Sequence, residues 1–404
     1  MLKKWIGEIG VSRDLLLLLF IGGLYFLSTS LSNTFVNIFL WKQTGEFIDL
    51  ALYNLAIVIF QPLTFIVAGR WAKKVDRVIV LRMGVIFLSL FYIAVLVFGK
   101  DASQWLLFLG TLLGIGYGFY WLAFNVLTFE ITEPETRDFF NGFMGALTSA
   151  AGVIGPISAG FLITRLQGNV GYTLIFAISF SLFAIAVLLS FFLKRRPASG
   201  KYKLRRIMAE RKKNINWRLV TNSHFFQGLR EGTFIFMISV LVFISTQSEL
   251  SLGTFGLVNA GVGFVFYLFA TKMIKKEKRK KVMLLGAIIL YVVIFLIAFQ
   301  PTYTRLLIYG ALIGLGYPLM LVPYSSMTYD VIGKSWKAAE MRIEYIVVRE
   351  QYLNVGRIVS IIIFIAAIRL FNPMDCIPIL LFLLGLGHPL AALFVSKVRL
   401  HETS

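Results

Sequence analysis

Again and again this sequence runs apolar for about the width of a bilayer. Twelve charge-poor stretches of that length lie near 15–40, 48–69, 79–99, 104–130, 139–164, 170–193, 218–244, 253–271, 282–300, 304–330, 343–368 and 376–396. At ~1.5 Å of rise per helical residue, each reaches across a hydrocarbon core of roughly 30 Å. Lipid offers the backbone no hydrogen-bond partners, so each stretch must satisfy its own polar groups, and a helix does so. The sequence therefore predicts an all-α membrane protein with 12 transmembrane helices. Composition agrees: 58% of the 404 residues are hydrophobic and 15% charged, with a mean hydropathy of +0.80. That leaves too little polar surface to wet soluble domains. No small-residue cleavage site follows the first stretch, which is read as a retained helix and not a signal peptide.

A net charge of +20 suggests nucleic acid at first sight. Its placement argues otherwise. With the N-terminus set in the cytoplasm, 32 of the 40 Lys and Arg fall on the cytoplasmic side and 5 in outer loops (Lys42, Lys100, Arg165, Arg305 and Arg369). This is the positive-inside pattern, with both termini cytoplasmic in a plasma or inner cell membrane. The surplus orients the chain and meets anionic lipid; nucleic acid is not an expected partner. The single cysteine, Cys376, forms no intrachain disulfide, and no Cys/His cluster offers a metal site. Three scattered histidines and the lack of nucleophile-elbow, P-loop or dinucleotide motifs give no enzyme and no cofactor. A monomer is expected.

Residues 194–217, KRRPASGKYKLRRIMAERKKNINW, are the one long polar segment and separate six stretches from six. The predicted organisation is a six-helix bundle over 1–193, a basic cytoplasmic linker over 194–217 and a second six-helix bundle over 218–404. An echo runs across the linker. AGRWAKKVDRVIVLRMG at 68–84 aligns with ATKMIKKEKRKKVMLLG at 270–286, an offset of 202. LLGIGYG at 112–118 aligns with LIGLGYP at 312–318, an offset of 200, which also pairs Glu130 with Asp330. Duplicated halves of this kind mark carriers that rock one bundle against the other.

With these residues in view, the chain resembles a major facilitator superfamily permease over essentially its whole length. Gly69, Arg70, Asp76 and Arg77 fall in a glycine-and-basic turn similar to the family's signature loop. It departs from the pattern four residues after the glycine, where the usual acid is Lys73; the acid's contact to the opposite bundle would then pass to Asp76. Glu130 and Arg137, with Pro134 between them, resemble the family's carboxylate–arginine latch. Gly152, Gly155, Pro156 and Gly160 are similar to a glycine–proline motif of proton-driven exporters. The resemblance implies two pseudo-symmetric bundles and a cytoplasmic gate built from Gly69, Arg70, Lys73, Asp76, Arg77, Glu130, Arg137 and Asp330.

The sharpest signal is charge where a membrane helix should have none. Arg230 and Glu231 sit about twelve residues into the seventh stretch, ~18 Å deep. His224, Gln227, Arg230 and Glu231 are read as sharing one face of that helix. In the eleventh stretch Glu350, Asn354 and Arg357 recur at i, i+4 and i+7, with Arg349 on the adjacent stripe. A charge at the bilayer centre costs roughly 2.5–3.5 kcal/mol on insertion scales, so these groups must face a cavity or one another. Arg230, Arg349 and Arg357 against Glu231 and Glu350 leave one positive charge over, which favours an anionic or zwitterionic ligand. Glu231 and Glu350 are the candidate proton-coupling carboxylates, since burial and a neighbouring arginine push a glutamate in opposite directions. Glu344 is read as interfacial. The alternative role for the whole cluster is an ion-pair network that only locks the two helices.

The first half carries uncharged polar groups: Asn33 and Asn37 on one face of the first helix, and Tyr117, Trp121 and Asn125 on the fourth. With Ser28, Thr29, Ser32 and Gln61 they suit a neutral part of a ligand, and each of them equally suits an interhelical hydrogen bond. The function expected is proton-coupled secondary transport of a small organic or amphipathic solute by alternating access. The alternatives are a lipid flippase and a receptor or scaffold on the same fold.

Overall fold

The structure is a computed structural model that describes residues 12–131, 134–195, 200–274, 276–299 and 301–399. Among these every regular element is helical. Six long helices precede the linker: α1 (Arg13–Thr44), α2 (Phe47–Lys74), α3 (Arg77–Phe98), α4 (Leu106–Ile131), α5 (Pro134–Arg165) and α6 (Val170–Ser190). A short linker helix, α7 (Leu204–Glu210), leads to α8 (Ile215–Thr246), α9 (Glu249–Met273), α10 (Arg279–Val292), α11 (Phe295–Ala298), α12 (Tyr303–Gly333), α13 (Arg342–Leu370), α14 (Pro373–Gly385) and α15 (Gly387–Ser396).

Eleven segments are long and apolar enough to cross a membrane. One of them, Arg77–Thr128, spans 52 residues, or ~78 Å if it were one straight helix, more than twice a bilayer core. It is not straight: the 3-10 turn Gly99–Trp105 breaks it, and α3 and α4 pack against each other. The pairs α10–α11 and α14–α15 each make up one apolar segment, Arg279–Ala298 and Asp375–Ser396.

Local chemistry sets the helix ends. Ser12, Asn214, Ser248 and Thr302 each accept a hydrogen bond from a first-turn amide, satisfying a donor the helix itself leaves open. Gly45, at φ 69°, closes α1 in the left-handed region, so α2 returns after two residues.

The sequence echo corresponds to repeated packing. Gly84 lies against the backbone of Tyr120, and Gly286 against that of Met320; a Cβ at either would come within 2.5 or 2.6 Å of the facing amide nitrogen. Gly114 lies against the Ile57 carbonyl and Gly314 against that of Asn259, with equally little room. Each glycine lets two helices approach backbone to backbone. These glycine pairs, shared between the halves, have no room for a side chain.

Helices α1–α6 pack among themselves, as do α8–α15, and two long contacts join the sets: α2 with α13 and α5 with α9. In the second contact a Cβ at Gly160 would meet the Glu249 carbonyl, and Pro156 fills the space beside Gly256. Gly152, Pro156 and Gly160 of the glycine–proline run thus face the other half, while Gly155 packs on Ser30 of α1 in its own.

Candidate functional site

Between the two sets of helices lies a cavity of about 680 Å³, lined from α1, α2, α4, α8, α12 and α13. Its second-half wall carries Gln227, Glu231, Arg349, Glu350 and Arg357. Glu231 and Arg357 join α8 to α13: Arg357 donates to Glu231 Oε2 from Nε at 3.2 Å and from Nη2 at 2.6 Å. Gln227 Nε2 donates to the other carboxylate oxygen at 2.8 Å. Asn354, fully buried behind the wall, accepts from Arg357 Nη1 at 3.2 Å and so orients the guanidinium. The second pair is local to α13, with Arg349 Nη2 donating to Glu350 Oε1 at 2.8 Å. Arg349 Nε and Gln227 Oε1 are buried with no hydrogen-bond partner, leaving one donor and one acceptor uncommitted in the cavity wall.

Glycines make the α8–α13 contact possible. A Cβ at Gly228 would strike the Leu353 carbonyl, and one at Gly356 the Phe225 carbonyl. With the backbones this close, Glu231 and Arg357 come within 2.6 Å of each other.

Arg230 does not join this cluster. Consecutive helical residues point ~100° apart, so turning Glu231 into the cavity turns Arg230 out of it. Arg230 lies buried on the far side, its guanidinium over the Phe234 ring at 4.3 Å and hydrogen-bonded to the Tyr317 hydroxyl. The charges lining the cavity are therefore two arginines against two glutamates, and the surplus positive charge expected there is absent. His224 does line it.

The opposite wall is polar and uncharged. Asn33, Asn37, Tyr117, Trp121 and Asn125 all line it. Tyr117 donates to Asn33 Oδ1 at 3.1 Å, and Asn54 on α2 donates to Asn37 Oδ1 at 3.0 Å. Tyr53 and Asn54 line it as well, neither of them expected from the sequence; the one signal there is an amide in an apolar helix two turns from Gln61, which also lines the cavity. Ser28 and Ser32 instead knit helices together, through reciprocal bonds between Ser28 and Ser179 and a contact with Tyr92.

The profile of the Major Facilitator Superfamily matches residues 18–341, about four-fifths of the chain. The chain belongs to the Major Facilitator Superfamily. As a superfamily member it is a multi-pass integral membrane protein and a membrane transporter. It is 61% identical over 401 residues to the uncharacterized protein YqgE of Bacillus subtilis, covering 99% of this chain and 93% of that one. It is 30% identical over 132 residues to multidrug resistance protein 1 of Bacillus subtilis, covering 32% of each chain. It is also 32% identical over 113 residues to the class E tetracycline resistance protein of Escherichia coli, covering 28% of this chain and 26% of that one.

The superfamily's signature loop closes the linker end of the cavity in an altered form. Lys73 Nζ donates to Glu344 Oε1 at 2.5 Å and to the Glu340 carbonyl at 2.9 Å. The contact from α2 to the opposite half is therefore made by Lys73 itself, with the charge inverted, and does not pass to Asp76. Asp76, fully buried, caps α3 through the Val78 amide at 2.7 Å and pairs with Arg195 at 3.3 Å. Glu344, read as interfacial, is also fully buried. Gly69 stands where α2 crosses α13, with no room for a Cβ beside Val347 and the Tyr202 hydroxyl.

Arg77 pairs with Glu130 at 2.6 Å, and Arg279 with Asp330 at 3.1 Å. These two pairs occupy duplicated positions, and each stays within its own half. Arg70 is exposed; the Arg137 side chain lies outside the described residues. At the far end of the cavity Lys42 of α1 pairs with Glu249 of α9 at 2.7 Å, and Tyr172 donates to the same carboxylate at 2.9 Å. An ion pair between the halves thus stands at each end.

Proposed function

We propose that this membrane transporter is a proton-coupled secondary carrier with twelve membrane-spanning helices and both termini in the cytoplasm of a bacterial-type cell. In this reading 1–193 and 218–404 are two six-helix bundles that rock about the cavity, and 194–217 is their cytoplasmic linker. The solute is a small amphipathic organic molecule. The observation that carries the proposal is the asymmetry of the cavity, with two arginine–glutamate pairs facing a wall of amides and aromatic rings.

Balanced pairs favour a zwitterion over a simple anion. A ligand carboxylate or phosphate competes with Glu231 for Arg357, and a ligand cation competes with Arg357 for Glu231. A carboxylate released from its arginine in a low-dielectric cavity takes up a proton more readily, which ties solute binding to protonation. Relatives named for multidrug and tetracycline resistance support an amphipathic solute and outward movement. Lys73–Glu344 and Lys42–Glu249 are suited to act as alternating closures, since a carrier needs two discrete states.

The test is flux. Purified protein in liposomes with an imposed proton gradient is offered zwitterionic, anionic and cationic amphipaths. Gradient-dependent movement of the zwitterionic class supports the proposal; movement of none of them, or movement indifferent to the gradient, refutes it.

A further inference from the structure

Arg230 is a buried cation that the cavity does not use. The residue is 4% exposed, and among the described residues it makes no ion pair and its Nε has no hydrogen-bond partner. The groups around it are phenols, a phenyl ring and an imidazole: Tyr317 and Tyr309 of α12, Phe234 of α8 and His388 of α15. Glu231, next in sequence, is committed to Arg357 and Gln227 on the other side of the helix. Arginine stays charged at any physiological pH, and a buried charge without a partner costs several kcal/mol.

His388 adds a second unsatisfied group. It is fully buried, its two ring nitrogens have no hydrogen-bond partner, and its ring meets that of Tyr317 edge-on, with centroids 5.5 Å apart. Gly387 brings it there: a Cβ at that position would lie 2.9 Å from Arg230 Cβ and from Arg230 N. The duplicated architecture does not require this charge. Helices α1 and α8 are both 32 residues long and start 202 residues apart, which places Ser28 at the position matching Arg230. Ser28 is neutral and exchanges hydrogen bonds with Ser179.

We propose that Arg230, Tyr317 and His388 bind a small inorganic anion, of the size and charge of chloride, behind the cavity wall. Three donors are available to it: Arg230 Nε–H, the Tyr317 hydroxyl and an imidazole N–H, which His388 presents in either protonation form. A halide accepts from all three and cancels the guanidinium charge. A water molecule would satisfy hydrogen bonds and leave that charge uncompensated.

The test uses the purified full-length protein and needs no solute. Thermal unfolding is followed while chloride replaces gluconate at constant ionic strength. A ligand bound only by the folded state raises the midpoint and saturates, so the wild type is expected to gain several degrees. R230Q is expected to lose this response, H388Q to need several-fold more chloride, and R357Q, altered in the cavity, to keep it. Should R230Q not fold, the shifted response of H388Q carries the same information. Crystals grown in bromide should show an anomalous peak between Arg230 Nε and the His388 ring. Equal midpoints in both salts, an unaltered response in H388Q, or bromide found only at Arg349 and Arg357, overturn the proposal.

Discussion

Lys73 Nζ lies 2.5 Å from Glu344 Oε1, and with side-chain exposures of 8% and 0% the pair is sealed from solvent. It ties α2 in one half to α13 in the other, and the linker joins it through the Lys203 amide, 3.0 Å from the same carboxylate oxygen. Lysine stands on the helix where the superfamily's loop resemblance calls for an acid, and an acid stands opposite. The contact has kept its place and exchanged its charges. Breaking a buried pair by altering one partner costs about 3–5 kcal/mol. K73E and E344K should each lower the thermal midpoint strongly, and the double variant K73E/E344K should recover most of the loss. Single variants as stable as the wild type would show that the pair does not hold the halves together.

Tyr202 covers this junction, and burial first, then the neighbouring Glu344 carboxylate, pushes its phenol well up from its ordinary range. A raised value in the folded state means that the contribution is fully present below the ordinary phenol value of roughly 10 and is lost as pH rises above it. Unfolding of the wild type should become easier in that alkaline window. Y202F, which removes a hydroxyl without a partner, should flatten that part of the profile at little cost near neutrality. An identical alkaline profile in Y202F would contradict the assignment.

The close approach of α8 to α13 sets the reach of Glu231 to Arg357. G228A or G356A places a methyl against a facing carbonyl, and overpacking of this kind typically costs ~1–3 kcal/mol. Both variants should lower the midpoint and weaken solute binding together. Normal stability would mean that the helices separate freely and that the pair does not depend on their spacing.

On the other wall, Asn54 donates to Asn37 across α1 and α2. N54L leaves the Asn37 carbonyl without that donor, a loss of ~1–3 kcal/mol for a buried group. Solute affinity should fall about tenfold, while the response to the proton gradient persists. Loss of gradient dependence instead would place coupling on the uncharged wall.

Much of the scaffold was legible because lipid leaves the chain few options. Apolar length marked the membrane-length segments, and the shared glycines, Gly84 with Gly286 and Gly114 with Gly314, proved to be positions with no room for a side chain. The cavity's charges were legible as groups too costly to expose to lipid. Which of Arg230 and Glu231 faces inward was not, because neighbours ~100° apart are distinguished only by their partners. Those partners, Arg357 and Tyr317, lie 126 and 87 residues away in sequence. Lys73 and Glu344 are 271 residues apart, and their meeting depends on α2 crossing α13. The loop motif marked the position and gave the wrong residue for the contact. Asn54 was missed because a single amide carries little weight among apolar neighbours.

Glu231 and Glu350 are the groups on which the proposed coupling rests. The direct measurement is proton movement recorded alongside solute flux in liposomes, for the wild type, E231Q and E350Q, with folding checked by thermal unfolding. Proton movement is expected with solute in the wild type, and a loss of at least tenfold in gradient-driven flux in both folded variants, with solute exchange surviving in at least one. Wild-type coupling in both variants would contradict it and leave the arginine–glutamate pairs as a structural lock between α8 and α13.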